Sequence, residues 1–116
     1  MPNTVNTASP IDWEDGLRRV AGNRALLEKL LHRIAGDLPN EFAKIEECIA
    51  NGDMEALGAL AHTLKGTSGN LSITAIYEQS IALEGAAKAG DTAEISALLQ
   101  KLKDSAKNLT DYLQSL

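Results

Sequence analysis

Residues 23–50 read NRALLEKLLHRIAGDLPNEFAKIEECIA, and the spacing of their apolar side chains decides the fold. Leu27, Leu31, Ile34, Leu38, Phe42, Ile45 and Ile49 follow one another by three or four residues without a break. That interval lines one face of an α-helix and cannot line one face of a strand. Pro39 stands inside the run, where it removes one helical N–H and crowds the carbonyl four residues earlier. It should kink the helix or split it, and the unbroken stripe favours a single kinked helix.

The same interval returns further along the chain. Leu57, Leu60, Ala61, Leu64, Ser68 and Leu71 form a second stripe, Ile73, Ile76, Ser80, Leu83 and Ala87 a third. Ile95, Leu98, Leu99, Leu102, Leu109, Tyr112, Leu113 and Leu116 form the fourth. Between them stand Gly followed by Asn or Asp: Gly22-Asn23, Gly52-Asp53, Gly69-Asn70 and Gly90-Asp91. Each pair has the chemistry of one helix ending and the next beginning, because Gly accepts a left-handed backbone and Asn or Asp caps a helix N-terminus. Glu94, three residues after Asp91, completes a capping-box pattern there.

Composition points the same way. The chain has 17 Leu and 17 Ala against 2 Val and four aromatics, Trp13, Phe42, Tyr77 and Tyr112, an inventory for helices rather than sheets. With 116 residues, 44% of them apolar, it can build one core and not two. These observations predict an all-α fold, an antiparallel four-helix bundle, with a short additional N-terminal helix. The extra helix, over Asp12 to Val20, should lie across one end with Trp13 and Leu17 packed inward. Met1 to Pro10, MPNTVNTASP, has no charge and two prolines, so residues 1–10 read as a linker or disordered tail and 11–116 as the domain.

Several function classes are excluded at this level. A net charge of −5, from 11 basic and 16 acidic residues, does not suit a phosphate-backbone partner, and four aromatics cannot form a base-stacking platform, so no nucleic acid is expected. A single cysteine, Cys48, and two histidines leave no disulfide framework and no conventional metal cluster. Cys48, beside Ile45 and Ile49, reads as a buried small hydrophobe. No apolar run reaches the roughly 18 residues needed to span a bilayer, and no secretory start is present, which together with the lone cysteine predicts a cytoplasmic chain without direct membrane contact.

The second stripe carries the residue of interest. At about 100° per residue, Leu60, Ala61, Leu64, Ser68 and Leu71 lie within about 60° of Leu57, whereas His62 lies about 140° away. Its imidazole therefore faces solvent or a groove edge. The neighbours three and four residues away are Gly58, Ala59, Lys65 and Gly66, with Gly69 a turn further on. Interior glycines at Gly58 and Gly66 each cost about 0.8–1 kcal/mol relative to Ala, which suggests that another surface must come close. A neutral imidazole is nucleophilic near neutral pH, and Lys65 can set an ammonium beside an anionic adduct, phosphate being the obvious one. The alternative is a solvent-facing histidine with incidental glycines, and geometry alone leaves the two open. His32 also lies about 140° from its stripe, but Glu28 and Lys29 beside it are charges of a solvated face, and a carboxylate-paired surface histidine explains it.

Ala61-His62-Thr63-Leu64-Lys65-Gly66-Thr67-Ser68-Gly69-Asn70-Leu71 resembles the signature of histidine phosphotransfer (HPt) domains, an Ala-His-x-Leu-Lys-Gly core followed by a small and an apolar residue. The resemblance runs from Ile11 onward through the Asp-Trp opening, Asp37-Leu38-Pro39, the Gly52-Asp53 junction, Leu83-Glu84 and Gly90-Asp91. It implies a helical phosphoryl carrier of multistep two-component phosphorelays, without kinase activity of its own and without a cofactor or metal. His62 would be the phosphoryl acceptor, Lys65 would stabilise the phosphate, and Gly58, Gly66 and Gly69 would give a partner access. The implied partners are response-regulator receiver domains, which would supply the divalent metal, and a parent hybrid sensor kinase, with the domain acting as a monomer. Many family members have Gly where this chain has Ser72, and Ser72 can act as N-cap of the following helix. Two rivals stay open: a chemotaxis-kinase-type module phosphorylated directly by a kinase domain, and a non-catalytic helical adaptor.

Overall fold

The computed structural model describes residues 9–116, so the expected tail at Met1 to Pro10 falls, for residues 1–8, outside the described residues. Five helices follow in order: α1 (Trp13–Arg19), α2 (Arg24–Asn51), α3 (Met54–Asn70), α4 (Thr74–Ala89) and α5 (Thr92–Gln114). Three of them start at residues the sequence marks, Asn23, Asp53 and Asp91. Asp12, Asn23, Asp53 and Asp91 each accept the backbone N–H three residues ahead, of Asp15, Leu26, Ala56 and Glu94. Such a cap contributes about 1 kcal/mol to its helix. Gly52 and Gly90 end α2 and α4 in the left-handed conformation, at φ 68° and 67°. The capping box at Asp91 is half formed, because the Asp91 N–H donates to the Ala86 carbonyl rather than to Glu94.

Pro39 does not split α2, which runs through it for 28 residues. At 1.5 Å per residue that is about 42 Å, matching the 41 Å long axis of the molecule. The four long helices form a ring: α2 touches α3 and α5, and α4 closes the circle by touching both. Leu27, Leu31, Leu38 and Ile45 of α2 meet Leu57, Ile76, Leu83, Ile95, Leu102 and Leu109, all fully buried. Burying each such side chain contributes about 1.5–3 kcal/mol, so this stripe pattern holds the fold. Leu116 is an exception to its stripe: it lies beyond α5 and is exposed.

The pairing of α3 with α4 is close because small residues face it. A Cβ placed on Gly58 would sit 3.8 Å from the Ala87 Cβ. Ser68 and Ser80 are fully buried, each hydroxyl donating at 2.7 Å to a carbonyl of its own helix, Leu64 and Ile76. Both hydroxyls are thereby satisfied without a partner helix.

Two expectations about the α3–α4 connection are corrected. Gly69-Asn70 is not a junction, since α3 continues to Asn70 and the turn comes at Leu71-Ser72. Ser72 is not the N-cap of α4. Ile73 holds that place with no side-chain bond, while Ser72 adopts a left-handed φ of 57°. Its hydroxyl donates to Asp15 Oδ2 at 2.7 Å and its carbonyl accepts the Asp12 N–H at 2.9 Å, so Ser72 ties α1 to this turn. The α1 helix is fastened at its start as well. Trp13 Nε1 donates to the Tyr112 hydroxyl at 2.6 Å, with the Arg24 guanidinium 4.4 Å from the indole centroid. Trp13 and Leu17 pack partly buried against the core as expected.

Candidate functional site

His62 sits midway along α3 on the side away from the core, its side chain 65% exposed. Its hydroxyl-bearing neighbours are turned elsewhere: Thr63 and Thr67 donate back to the carbonyls of Ala59 and Thr63. The contact that defines the imidazole comes from α4. His62 Nδ1 lies 3.1 Å from Glu84 Oε2, and the other oxygen, Oε1, accepts Lys65 Nζ at 3.2 Å. One carboxylate thus holds the histidine and the lysine together.

Glu84 is largely covered, its side chain 16% exposed. The hydrogen bond from Lys65 lowers its pKa, outweighing the partial desolvation that pushes the other way, and His62 adds a smaller downward push. Glu84 is therefore ionised at neutral pH and can only accept hydrogen bonds. A neutral imidazole facing it must carry its proton on Nδ1, which leaves the lone pair on Nε2, the ring nitrogen turned from the carboxylate. The geometry produces one nucleophilic nitrogen with a defined direction. Lys65 has three N–H donors and spends one on Glu84, so others can meet an anion bonded to the ring.

The surroundings are open. On one side of His62 a groove of about 650 Å³ runs over Gly58, Ala59 and Met54 towards Ala87 and Lys88. A second groove, of about 460 Å³, begins at Lys65 and Gly66 and continues over Gly69 to Tyr77 and Arg19. Nothing lies within 4 Å of the position a Cβ would take at Gly66, so this glycine leaves bare backbone at the surface. Gly69 differs, because a Cβ there would fall 3.0 Å from Cδ1 and Cε1 of Tyr77. Its bareness seats an aromatic ring of the same chain.

The sequence model of the Hpt domain matches residues 26–114. The chain belongs to the Hpt domain family. The chain is similar to a short stretch of two much longer curated proteins and to one solved structure. It is 35% identical over 65 residues to the signal transduction histidine-protein kinase BarA of Shigella flexneri, and 34% identical over 65 residues to that of Escherichia coli strain K12. The match covers 56% of this chain and 7% of each BarA. A crystal structure of the HPT domain from an Hpt sensor hybrid histidine kinase of Shewanella superposes with a TM-score of 0.74 at 20% identity, covering 92% of this chain and 96% of that one. That likeness supports the four-helix fold independently of the motif.

Within the Hpt domain, the five residues singled out by sequence fall on one face, with Gly69 beneath Tyr77. His32 lies exposed on α2, and the expected carboxylate partner is engaged elsewhere, since Glu28 bonds Arg24 at 2.7 Å. Cys48 is half-buried against the core and burial pushes its thiol pKa up. Among the described residues, no group of three or more His, Cys, Asp or Glu side chains is placed to hold a metal ion, and no helix is long and apolar enough to cross a membrane. Sequence reasoning met Glu84 only as part of the family resemblance and gave it no place beside His62, 22 residues away, because only the pairing of α3 with α4 brings the two together.

Proposed function

We propose that this Hpt domain accepts a phosphoryl group on His62 from the aspartyl phosphate of a receiver domain and passes it to another receiver. The observation that carries the reading is the shared Glu84 carboxylate, which orients the exposed imidazole and sets Lys65 beside it. In the forward step the Nε2 lone pair forms the N–P bond while the bond from phosphorus to the receiver's aspartyl oxygen breaks. The aspartate leaves as a carboxylate. The ring gains positive charge, which the Nδ1–H shares with Glu84, and Lys65 faces the transferred phosphoryl oxygens.

Such transfer has a loose, metaphosphate-like transition state, so alignment and nearby cations matter more than acid or base groups. The donor set around His62 is suited to that task and not to holding a nucleotide, and the reading makes the domain a carrier rather than a kinase. The relatedness to BarA supports a place beside a hybrid kinase and its receivers.

The test is to mix the purified protein with receiver domains carrying aspartyl phosphate and look for acid-labile, base-stable label. Label should appear on the parent and be absent from His62→Gln, and incubation with ATP alone should give none. A His62→Gln protein that labels as well as the parent sinks the assignment.

A further inference from the structure

The second groove holds a cation that the phosphotransfer step does not use. Arg19, the last residue of α1, lines it together with Lys65, Gly66 and Tyr77. Its side chain is fixed by Nε, which donates to Asp15 Oδ2 at 2.8 Å, the same oxygen that accepts the Ser72 hydroxyl. The two terminal Nη groups have no hydrogen-bond partner among the described residues, and the side chain is 48% exposed. The edge of the guanidinium that pairs bidentately with carboxylates is thus oriented in advance and unspent. Nearby acids are already engaged: Asp12 Oδ1 caps α1, and Asp15 accepts from Arg18, Arg19 and Ser72.

The groove also has an apolar lining from Tyr77 and Ile73 of the α4 start, and Ile81 stands outside it. Tyr77 lies 39% exposed with its ring seated against Gly69, and Ile81, one turn further along α4, is 43% exposed. Tyr and Arg are the side chains that most often carry binding energy at protein interfaces, through ring area in one case and a rigid fork in the other. Here one of each faces the same groove, a short distance along α3 from His62.

We propose that Arg19 and Tyr77 form a specificity subsite for the receiver domain, in which the guanidinium fork takes one surface carboxylate of the receiver and an adjoining apolar side chain packs on the Tyr77 ring. The assignment rests on the phosphotransfer reading above. A guanidinium that already holds one carboxylate on Nε has one bidentate edge left, which fits a single protein carboxylate. Arg18 supplies an internal control: it bonds the other oxygen of Asp15 at 3.0 Å and does not line the groove.

The experiment measures transfer rate against receiver concentration, using the receiver that labels the parent fastest from a panel phosphorylated with acetyl phosphate. Direct binding of the same receiver without phosphate is measured in parallel. Arg19→Ala should raise the half-saturating concentration about fivefold to tenfold at low salt while the saturating rate stays within about twofold, and the difference should shrink in high salt. Arg18→Ala should leave both within about twofold, and Tyr77→Ala should weaken binding without salt dependence. Arg19→Glu should be rescued by one acidic-to-lysine change on the receiver, which identifies the carboxylate. Circular dichroism melts establish that the variants stay folded. If Arg19→Glu binds and saturates like the parent at low salt, the subsite is overturned while the carrier reading stands. Failure of the carrier reading shows separately, as label that survives His62→Gln.

Discussion

His32 and His62 occupy the same kind of position on two different helices. Both lie about 140° from the apolar stripe of their helix, and both are exposed. Each is followed at the fourth residue by a glycine, Gly36 or Gly66, beside which a Cβ would meet nothing within 4 Å. The difference lies in what a second helix brings. Beside His62, α4 delivers the Glu84 carboxylate and Lys65 stands three residues on, whereas His32 has Ala35 there. The shallow groove at His32, of about 190 Å³, is walled from α5 by Thr110, Leu113 and Gln114, none of them charged. A bare glycine beside an exposed histidine therefore does not by itself distinguish the two positions. The charge supplied across the helix pair separates the two.

The largest effect should come from exchanging the histidines themselves. His62→Gln should abolish labelling by a phosphorylated receiver and His32→Gln should leave it unchanged, as read by label on the protein after rapid quench. Equal loss in both would erase the distinction. Next come the glycines. Gly66→Leu should slow transfer at least about tenfold, because a branched side chain stands where the receiver approaches, and Gly36→Leu should leave it within about twofold. Both should raise the melting temperature slightly, since removing an interior glycine relieves about 0.5–1 kcal/mol of helix penalty. Slowed transfer accompanied by a lowered melting temperature at Gly66 would point to damage rather than obstruction.

A smaller effect sharpens the role of the carboxylate. The folded-state pKa of Glu84 is lowered, so its contribution to stability is fully present above its ordinary value of 4.5 and is lost as pH falls through the depressed folded value. Denaturant unfolding of the parent and Glu84→Gln should differ at pH 7, and the difference should shrink as the pH is taken down through 4.5 and below. Glu28→Gln, which breaks only an exposed pair with Arg24, should shift stability by no more than about 0.5 kcal/mol at neutral pH. The smallest contrast lies in the turn beneath the second groove. Ser72→Ala loses the bond to Asp15 and keeps the left-handed backbone, so its melting temperature should fall by about 5 °C. Ser72→Gly loses the same bond but relaxes the backbone, and should fall by less than half as much.

The architecture was readable because helix stripes and caps are local. Leu27 to Ile45 and the Gly-Asx pairs at 22, 52 and 90 each declare an element within a few residues, and the structure follows them. Gly69-Asn70 carries the same signal and misleads, because Gly69 is bare to receive Tyr77 and the chain turns at Ser72 instead. Ser72 stands out only through the resemblance, which implies Gly at that place, and its positive φ is a conformation that Gly adopts without strain. The contact of Glu84 with His62 was hidden for a different reason. Hydrogen bonding between helices depends on how α3 and α4 rotate against each other, and nothing within four residues of His62 encodes that.

The bond from the Trp13 indole to the Tyr112 phenol involves the chain's one tryptophan. With Arg24 over the ring and a phenolic oxygen on its nitrogen, the indole has a surrounding that exists only while α1 is seated against α5. Its native fluorescence is thus a single-site optical gauge of α1, the helix that also carries Arg19. Adding a receiver and following emission would register a disturbance of that helix in real time, without a dye and without altering a residue.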